Sequence, residues 1–203
     1  MSVLRLSELA AMVNGSLTGA DSGFDGVSTD TRSLSEGELF VALRGPNFDG
    51  HDYLIAARDR GAAGALVERP VEAGLATVQV TDARKSLGEL GREWRLRCPA
   101  CVVAVTGSNG KTTLKEMIAA VLGQRGEVLA TRGNLNNDIG VPLTLSRLRD
   151  EPFAVIEMGA NHAGEIDYLT RLARPDIAVL NNAGQAHLEG FGSIEGVAHA
   201  KAE

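Results

Sequence analysis

The pattern of apolar and polar positions changes character midway along the chain. Up to Asp82, short apolar runs alternate with a few amphipathic stretches. "SELAAMVNG" has helical spacing, with Ser7 placed to cap its start and Gly15 to stop it. "GELFVAL" predicts a strand, "HDYLIAARDRG" a helix closed by Gly61, and "GALVE" and "ATVQV" two further strands. Thr81 and Asp82 then cap a long helix, "ARKSLGELGREWRLR", which ends before Pro99 because the residue preceding a proline avoids the helical region.

From Cys101 the rhythm is regular. Strand "CVVAVTG" leads through a Gly-rich turn into helix "KTTLKEMIAAVLGQRG", and strand "EVLAT" follows. After the polar loop "RGNLNNDIG" come helix "VPLTLSRL", strand "FAVIEMGA", helix "AGEIDYLTRLA", strand "DIAVLNNAG" and a last helix from about Ser193. Near-continuous apolar strands between amphipathic helices predict a mostly parallel sheet with helices on both faces. The fold expected is therefore α/β: a small N-terminal domain over residues 1–98 and a P-loop-type sheet over 99–203, divided near Pro99. The chain stops at "AHAKAE", inside a predicted helix, so a fragment of a longer protein is expected.

Bulk properties narrow the function classes. With 44% hydrophobic and 23% charged residues, the 203-residue chain has the composition of a soluble globular protein. Its net charge of -6 argues against nucleic acid as a partner, since a basic surface supplies most of that affinity. The opening "MSVLRLSELAAMVNG" lacks the basic start, apolar run and cleavage site of a secretion signal. No stretch approaches the roughly 18 apolar residues of a membrane span. The expectation is a cytoplasmic monomer. Cys98 and Cys101 form a CxxC, but Cys101 opens an apolar strand, and a zinc site would need two more ligands from four scattered histidines. Both cysteines read as structural.

The chemistry concentrates in "AVTGSNGKTT", residues 104–113. The usual phosphate loop is G-x-x-x-x-G-K-[ST], and here Val105 stands where its first glycine belongs. The stretch nevertheless joins a strand to a helix N-terminus, where free N–H groups and the helix dipole favour anions. Gly107 and Gly110 permit a tight turn, Lys111 can reach phosphate oxygens, and the Thr112 hydroxyl can ligate Mg²⁺. The plainer alternative is a Gly-rich turn carrying a surface lysine. Glu157 ends an apolar strand at the edge where doubly wound sheets bind ligands, and a carboxylate there needs pairing or a metal. His187, past another strand end, reads on its own as a solvated loop histidine.

"TGSNGKTT", "GNLNNDIGVPLTL", "EMGANHAGEI", "NNAGQAHLEGFGS" and "AKAE" follow one another in the order seen in the Mur ligase family, which the chain resembles over essentially its whole length. "STDTRSLSEGELFVALRGPNFDGHDY" resembles that family's UDP-binding domain. The family's loop is the shortened T-G-[ST]-N-G-K-[ST]-[ST] form, which accounts for Val105. The resemblance implies an ATP-dependent ligase of peptidoglycan synthesis that forms an amide through an acyl phosphate. Its implied substrates are ATP, UDP-N-acetylmuramoyl-tripeptide and D-alanyl-D-alanine, with two Mg²⁺ ions.

The resemblance also assigns residues. Gly107, Ser108, Asn109, Gly110, Lys111, Thr112 and Thr113 would hold ATP, and Thr112 and Glu157 the first metal. His187 would ligate a second Mg²⁺, beside Lys201 as a carbamylated lysine; Lys111, His187 and Lys201 would be catalytic. Asn134, Asn136, Asn137, Asn161 and His162 would line the peptidyl-substrate cleft. Ser28, Thr29, Asp30, Arg32, Arg44, Gly45, Asn47 and His51 would grip the uridine nucleotide. A third domain of the family has no counterpart among these residues, so the chain alone is expected to be inactive in ligation. Two alternatives remain at this point: a related Mur-type or folylpolyglutamate ligase, and a non-catalytic nucleotide-binding module.

Overall fold

In a computed structural model, residues 3–184 and 191–203 are described. The chain divides into two compact units between Leu90 and Gly91. That division falls inside a helix rather than at Pro99.

The first unit holds strands β1 (Leu4–Arg5), β2 (Ser16–Thr18), β3 (Gly23–Phe24), β4 (Val27–Ser28), β5 (Leu39–Val41), β6 (Gly64–Val67) and β7 (Thr77–Gln79). Helices α1 (Leu6–Met12) and α2 (Leu54–Asp59) accompany them, the latter entered through a 3-10 turn at Gly50–Tyr53. Helix α3 (Ala83–Leu96) begins in this unit and ends in the second. Five strands form one sheet in the order β2-β7-β6-β5-β4, parallel from β4 to β7, with β2 antiparallel at one edge. β1 and β3 pair separately as an antiparallel ribbon. Phe40, Ala42, Leu54, Ala57, Ala65 and Val67 form a core beneath α2, as the apolar runs predict.

Three local expectations for this unit need adjusting. Helix α1 starts at Leu6 instead of after Ser7, because Asp21 takes both the Ser7 N–H (2.9 Å) and the Ser7 hydroxyl (2.9 Å). Glu8 reaches back to the Arg5 N–H at 2.8 Å and closes the helix start. At the other end, the left-handed residue is Asn14 (φ 53°), not Gly15. β1 to β4 are too short to leave a period-2 signal, and the sequence reading has none of them. Asp82 does cap α3, accepting the Lys85 N–H at 2.8 Å.

The second unit holds β8 (Cys101–Thr106), β9 (Val128–Ala130), β10 (Phe153–Glu157) and β11 (Ile177–Leu180), with α4 (Lys111–Leu122), α5 (Gly140–Leu145), α6 (Glu165–Ala173) and α7 (Ile194–Lys201). All four strands are parallel, in the order β11-β8-β10-β9. β8 runs in the middle, and the chain leaves it first towards β9 and later returns to its other side as β11. Such a reversal opens a crevice at the strands' C-terminal ends. Register brings Glu157 level with Val105, and Leu180 level with Thr106. Val103, Val105 and Val155 pack against Leu114, Ile118 and Leu122 of α4, fixing that helix over the sheet. Cys98 and Cys101 are free thiols.

Candidate active site

The turn between β8 and α4 lies at the crevice. Gly107 (φ 147°) and Gly110 (φ 72°) both hold backbone conformations that side chains resist. A Cβ on Gly107 would stand 3.1 Å from the Asn181 Cβ and from the Asn182 N, so the loop runs close against the segment after β11. Thr112, in the first turn of α4, donates its hydroxyl to Glu157 Oε2 at 2.9 Å. Glu157 is buried, its Oε1 accepts from Asn136 Nδ2 at 2.9 Å, and its N–H donates to Thr131 Oγ1 at 2.9 Å. Lys111 folds back on the loop, with Nζ 2.8 Å from the Gly107 carbonyl. The first N–H groups of α4 have no partner within the helix, as at any helix start.

The GNLNNDIG loop is shaped by its own turns. Asn136 N–H donates to the Asn134 carbonyl (2.8 Å), and the Asn136 carbonyl accepts from Gly159 N–H (2.8 Å). Asn136 is thus tied to β10's end and faces Glu157. Asn137 instead accepts from the N–H groups of Ile139 (3.2 Å) and Gly140 (2.8 Å), so its side chain starts α5. Asn134 is exposed. Gly140 leaves no space for a side chain: a Cβ would lie 2.3 Å from the Leu135 carbonyl carbon.

After β10, Asn161 and His162 form an exposed turn on Glu165, which accepts from Asn161 N–H at 2.7 Å and sits 3.1 Å from His162 Nδ1. Burial raises the Glu165 carboxyl's pKa, but these N–H donors outweigh it and leave the value below the usual carboxylate range. Lys201 is buried on α7, donating to the Ala160 carbonyl at 3.0 Å, with Nζ 5.3 Å from the Phe191 ring centre. Burial, then the like charge of Lys111, lowers its pKa. Glu203 reaches the N–H groups of Gly164 (2.7 Å) and Asp167 (3.2 Å) at the start of α6. His187 lies outside the described residues.

Thr112 and Glu157 thus bring a hydroxyl and a carboxylate together, hard oxygen donors of the kind Mg²⁺ prefers. The residues present fit one such ion. Among the described residues, no group of three His, Cys, Asp or Glu side chains gathers at one point.

The first unit has its own pocket, of about 450 Å³, lined by Thr29, Asp30, Thr31, Arg32, Phe40, Phe48, Gly50 and Tyr53. Asp30 and Arg32 pair at 2.6 Å, and the guanidinium holds the Asp30 carboxyl down to about 2. Ser28 is buried and accepts the Asp30 N–H at 3.2 Å, which places it behind the wall. Gly45 lies under Phe48 and Asn47 is exposed, while Arg44 bridges to Asp49. His51 is buried with both ring nitrogens engaged: Nε2 accepts from Glu68 N–H at 2.9 Å, and Nδ1 meets Asp49 Oδ1 at 2.5 Å. It anchors the loop from beneath.

Phe48, Tyr53, Asn181 and Asn182 are not among the residues to which the sequence motifs assign a role. Two half-exposed aromatics close together, in a chain with five Phe and two Tyr, were an available signal. "NN" follows β11 at the same sheet edge that drew attention to Glu157, so the same logic reaches it.

Comparison with known proteins bears on both units. Residues 23–95 match the model described as Mur ligase family, catalytic domain, and residues 105–203 match the Mur ligase middle domain. The UDP-N-acetylmuramoyl-tripeptide–D-alanyl-D-alanine ligase of Escherichia coli is 55% identical over 98% of this chain, and that of Bacillus subtilis 43% identical over 98%. A crystal structure of MurF from Acinetobacter baumannii superposes with a TM-score of 0.91 at 39% identity, covering 100% of this chain and 46% of that one. The MurF ligase of Thermotoga maritima, solved in complex with ADP, gives 0.79 at 37% identity over 87% of this chain and 42% of that one. The chain spans 44% of the Escherichia coli relative's length and 45% of the Bacillus subtilis one's. With two adjoining domain matches, relatives aligned along nearly all its residues and the same folded arrangement, the chain belongs to the Mur ligase family.

Proposed function

We propose that the chain supplies the nucleotide-sugar and ATP sites of a cytoplasmic ligase that joins D-alanyl-D-alanine to UDP-N-acetylmuramoyl-tripeptide in peptidoglycan synthesis. The observation that carries this reading is the Thr112–Glu157 pair beside a glycine-bent phosphate loop, in a chain whose relatives bear that ligase's name. On this reading residues 1–98 bind the uridine nucleotide, through the pocket walled by Thr29, Asp30 and Arg32, and residues 99–203 bind ATP.

The reaction moves the γ-phosphoryl group of ATP to the tripeptide's terminal carboxylate, giving an acyl phosphate and ADP. The amine of D-alanyl-D-alanine then attacks the acyl carbon, losing a proton as inorganic phosphate leaves and the amide forms. Such transfers are governed by positioning and electrostatics. Lys111 swings from the Gly107 carbonyl to the phosphates, and the first N–H groups of α4 bind their oxygens. Thr112 and Glu157 would hold one Mg²⁺, which supplies neutralising charge during the in-line transfer. A second ion would rest on His187 and on Lys201 as its carbamate. Burial suits Lys201 to that role by favouring the neutral amine, which takes up CO₂ with release of a proton. Asn136 orients Glu157, and Asn161 and His162 border the same sheet edge.

Calorimetric titration with ATP and Mg²⁺ tests the assignment. Wild-type chain should bind, and Lys111→Ala should weaken binding at least tenfold, since a charge-assisted bond is worth about 1.5–3 kcal/mol. Equal affinity in the two proteins would remove Lys111 from the site.

A further inference from the structure

The phosphate loop is held by the segment that follows β11, and the bonding is reciprocal. Asn182 Oδ1 accepts from the N–H groups of Ser108 (3.1 Å) and Asn109 (3.0 Å), while Asn182 Nδ2 donates to the Asn109 carbonyl at 3.0 Å. Asn181 Nδ2 donates to the same carbonyl at 2.8 Å. The Ser108 N–H also reaches the Asn182 carbonyl (3.1 Å), and the Ser108 hydroxyl both donates to the Gly184 carbonyl (3.1 Å) and accepts the Gly184 N–H (2.9 Å). Upstream, the Asn181 N–H continues the β11–β8 ladder to the Thr106 carbonyl at 2.9 Å.

Two readings of the Asn182 oxygen differ in sign. It could stand where a phosphate oxygen binds, in which case nucleotide must displace it. A phosphate oxygen, however, only accepts, whereas the Asn182 amide both accepts from and donates to Asn109, as a neighbouring strand would. A bidentate amide of this kind completes the loop's backbone bonding. We propose that Asn182, assisted by Asn181, is a positioning residue that clasps Ser108–Asn109. The clasp presets the Gly107–Gly110 turn and leaves the amides from Lys111 onward to receive phosphate. This rests on the nucleotide site proposed above. It divides the loop into a half that is bound internally and a half that binds ligand. Preorganisation of this kind favours binding because the loop is ordered before the nucleotide arrives.

Amide hydrogen exchange by NMR on the full chain, with and without ADP and Mg²⁺, tests the division. In wild type, the Ser108 and Asn109 amides should exchange at least tenfold more slowly than in an unstructured peptide, and ADP should not change them. ADP should instead slow the amides of Lys111, Thr112 and Thr113. Asn182→Ala should speed exchange at Asn109 at least tenfold and at Ser108 by less, because the Ser108 N–H keeps the Asn182 carbonyl as an acceptor; it should leave the β8 and β10 amides as they were and weaken ADP binding severalfold. Asn182→Asp keeps the acceptor and should restore protection at both amides. Unprotected Ser108 and Asn109 amides in wild type, or unchanged exchange at Asn109 in Asn182→Ala, would overturn the clasp. Tighter ADP binding by Asn182→Ala would overturn it in favour of the displaced-oxygen reading. Should Asn182→Ala fail to fold, the wild-type pattern decides alone. A wild type with protected amides but no ADP binding would overturn the nucleotide site, and with it the clasp's part in binding, while leaving the clasp itself in place.

Discussion

The hydroxyl of Thr112 donates to Glu157 Oε2 across 2.9 Å, from the first turn of α4 to the last residue of β10. Glu157 is 2% exposed, and a carboxylate so enclosed depends on each of its donors. Thr112→Val keeps the shape and removes the hydroxyl. It should lower stability by about 1–3 kcal/mol, the usual cost of a buried acceptor left unpaired. It should also remove one of the oxygen ligands assigned to Mg²⁺. Calorimetry with ADP would then find that adding Mg²⁺ strengthens binding about tenfold or more in wild type but only slightly in the variant.

Lys115 lies one turn further along α4 and is 1% exposed. Its ammonium donates to the Thr131 carbonyl at 2.7 Å and meets Glu116 Oε1, also at 2.7 Å. Because Thr131 Oγ1 takes the Glu157 N–H, this lysine fixes the strand end that fixes Glu157. Lys115→Met retains the aliphatic stem and leaves the Thr131 carbonyl without its donor, so a loss of about 1–3 kcal/mol is expected. Lys115→Ala also empties buried volume and should cost more, about 2–5 kcal/mol. Urea unfolding of the three proteins gives the order directly. A Met variant more stable than wild type would show that desolvating the ammonium outweighs its bonds.

Lys115 also marks how far the sequence could be read. β8, β10 and β11 are apolar runs framed by amphipathic helices, so their parallel arrangement was legible from periodicity alone. Glu157 and the GKTT turn stood out because polar or glycine residues interrupt that pattern at strand ends. Lys115 and Thr131 did not stand out: a lysine in a helix normally faces water, and only the packing of α4 over β9 and β10 buries this one. β1 to β4 escaped for a different reason. Runs of two or three residues carry no period, and their pairing is set by distant partners such as Leu39 and Val78. His51 shows a third limit, since the family resemblance assigned it to the nucleotide grip but could not say that its ring turns inward to Asp49 and Glu68.

The Asp49–His51 contact gives the first unit a definite acid response. Asp49 lies low, at about 2, mainly because its carboxylate accepts the His51 N–H at 3.0 Å, with further help from the His51 ring and Arg69 against an opposing effect of burial. The unfolded chain would titrate this group near 3.8, so between that value and about 2 the unfolded state holds more protons than the folded one. Stability therefore rises with pH through this window: the contribution is fully present above it and disappears as pH falls through about 2. Asp49→Asn lacks the titrating group and should be less stable than wild type at neutral pH, with the difference shrinking as the solution is acidified. Asp30, also held at about 2, remains in both proteins, so the difference between them isolates Asp49. Urea unfolding followed by circular dichroism at about pH 6 and about pH 3 measures it. A gap that stays constant across that range would mean the loop is held by the His51 packing alone.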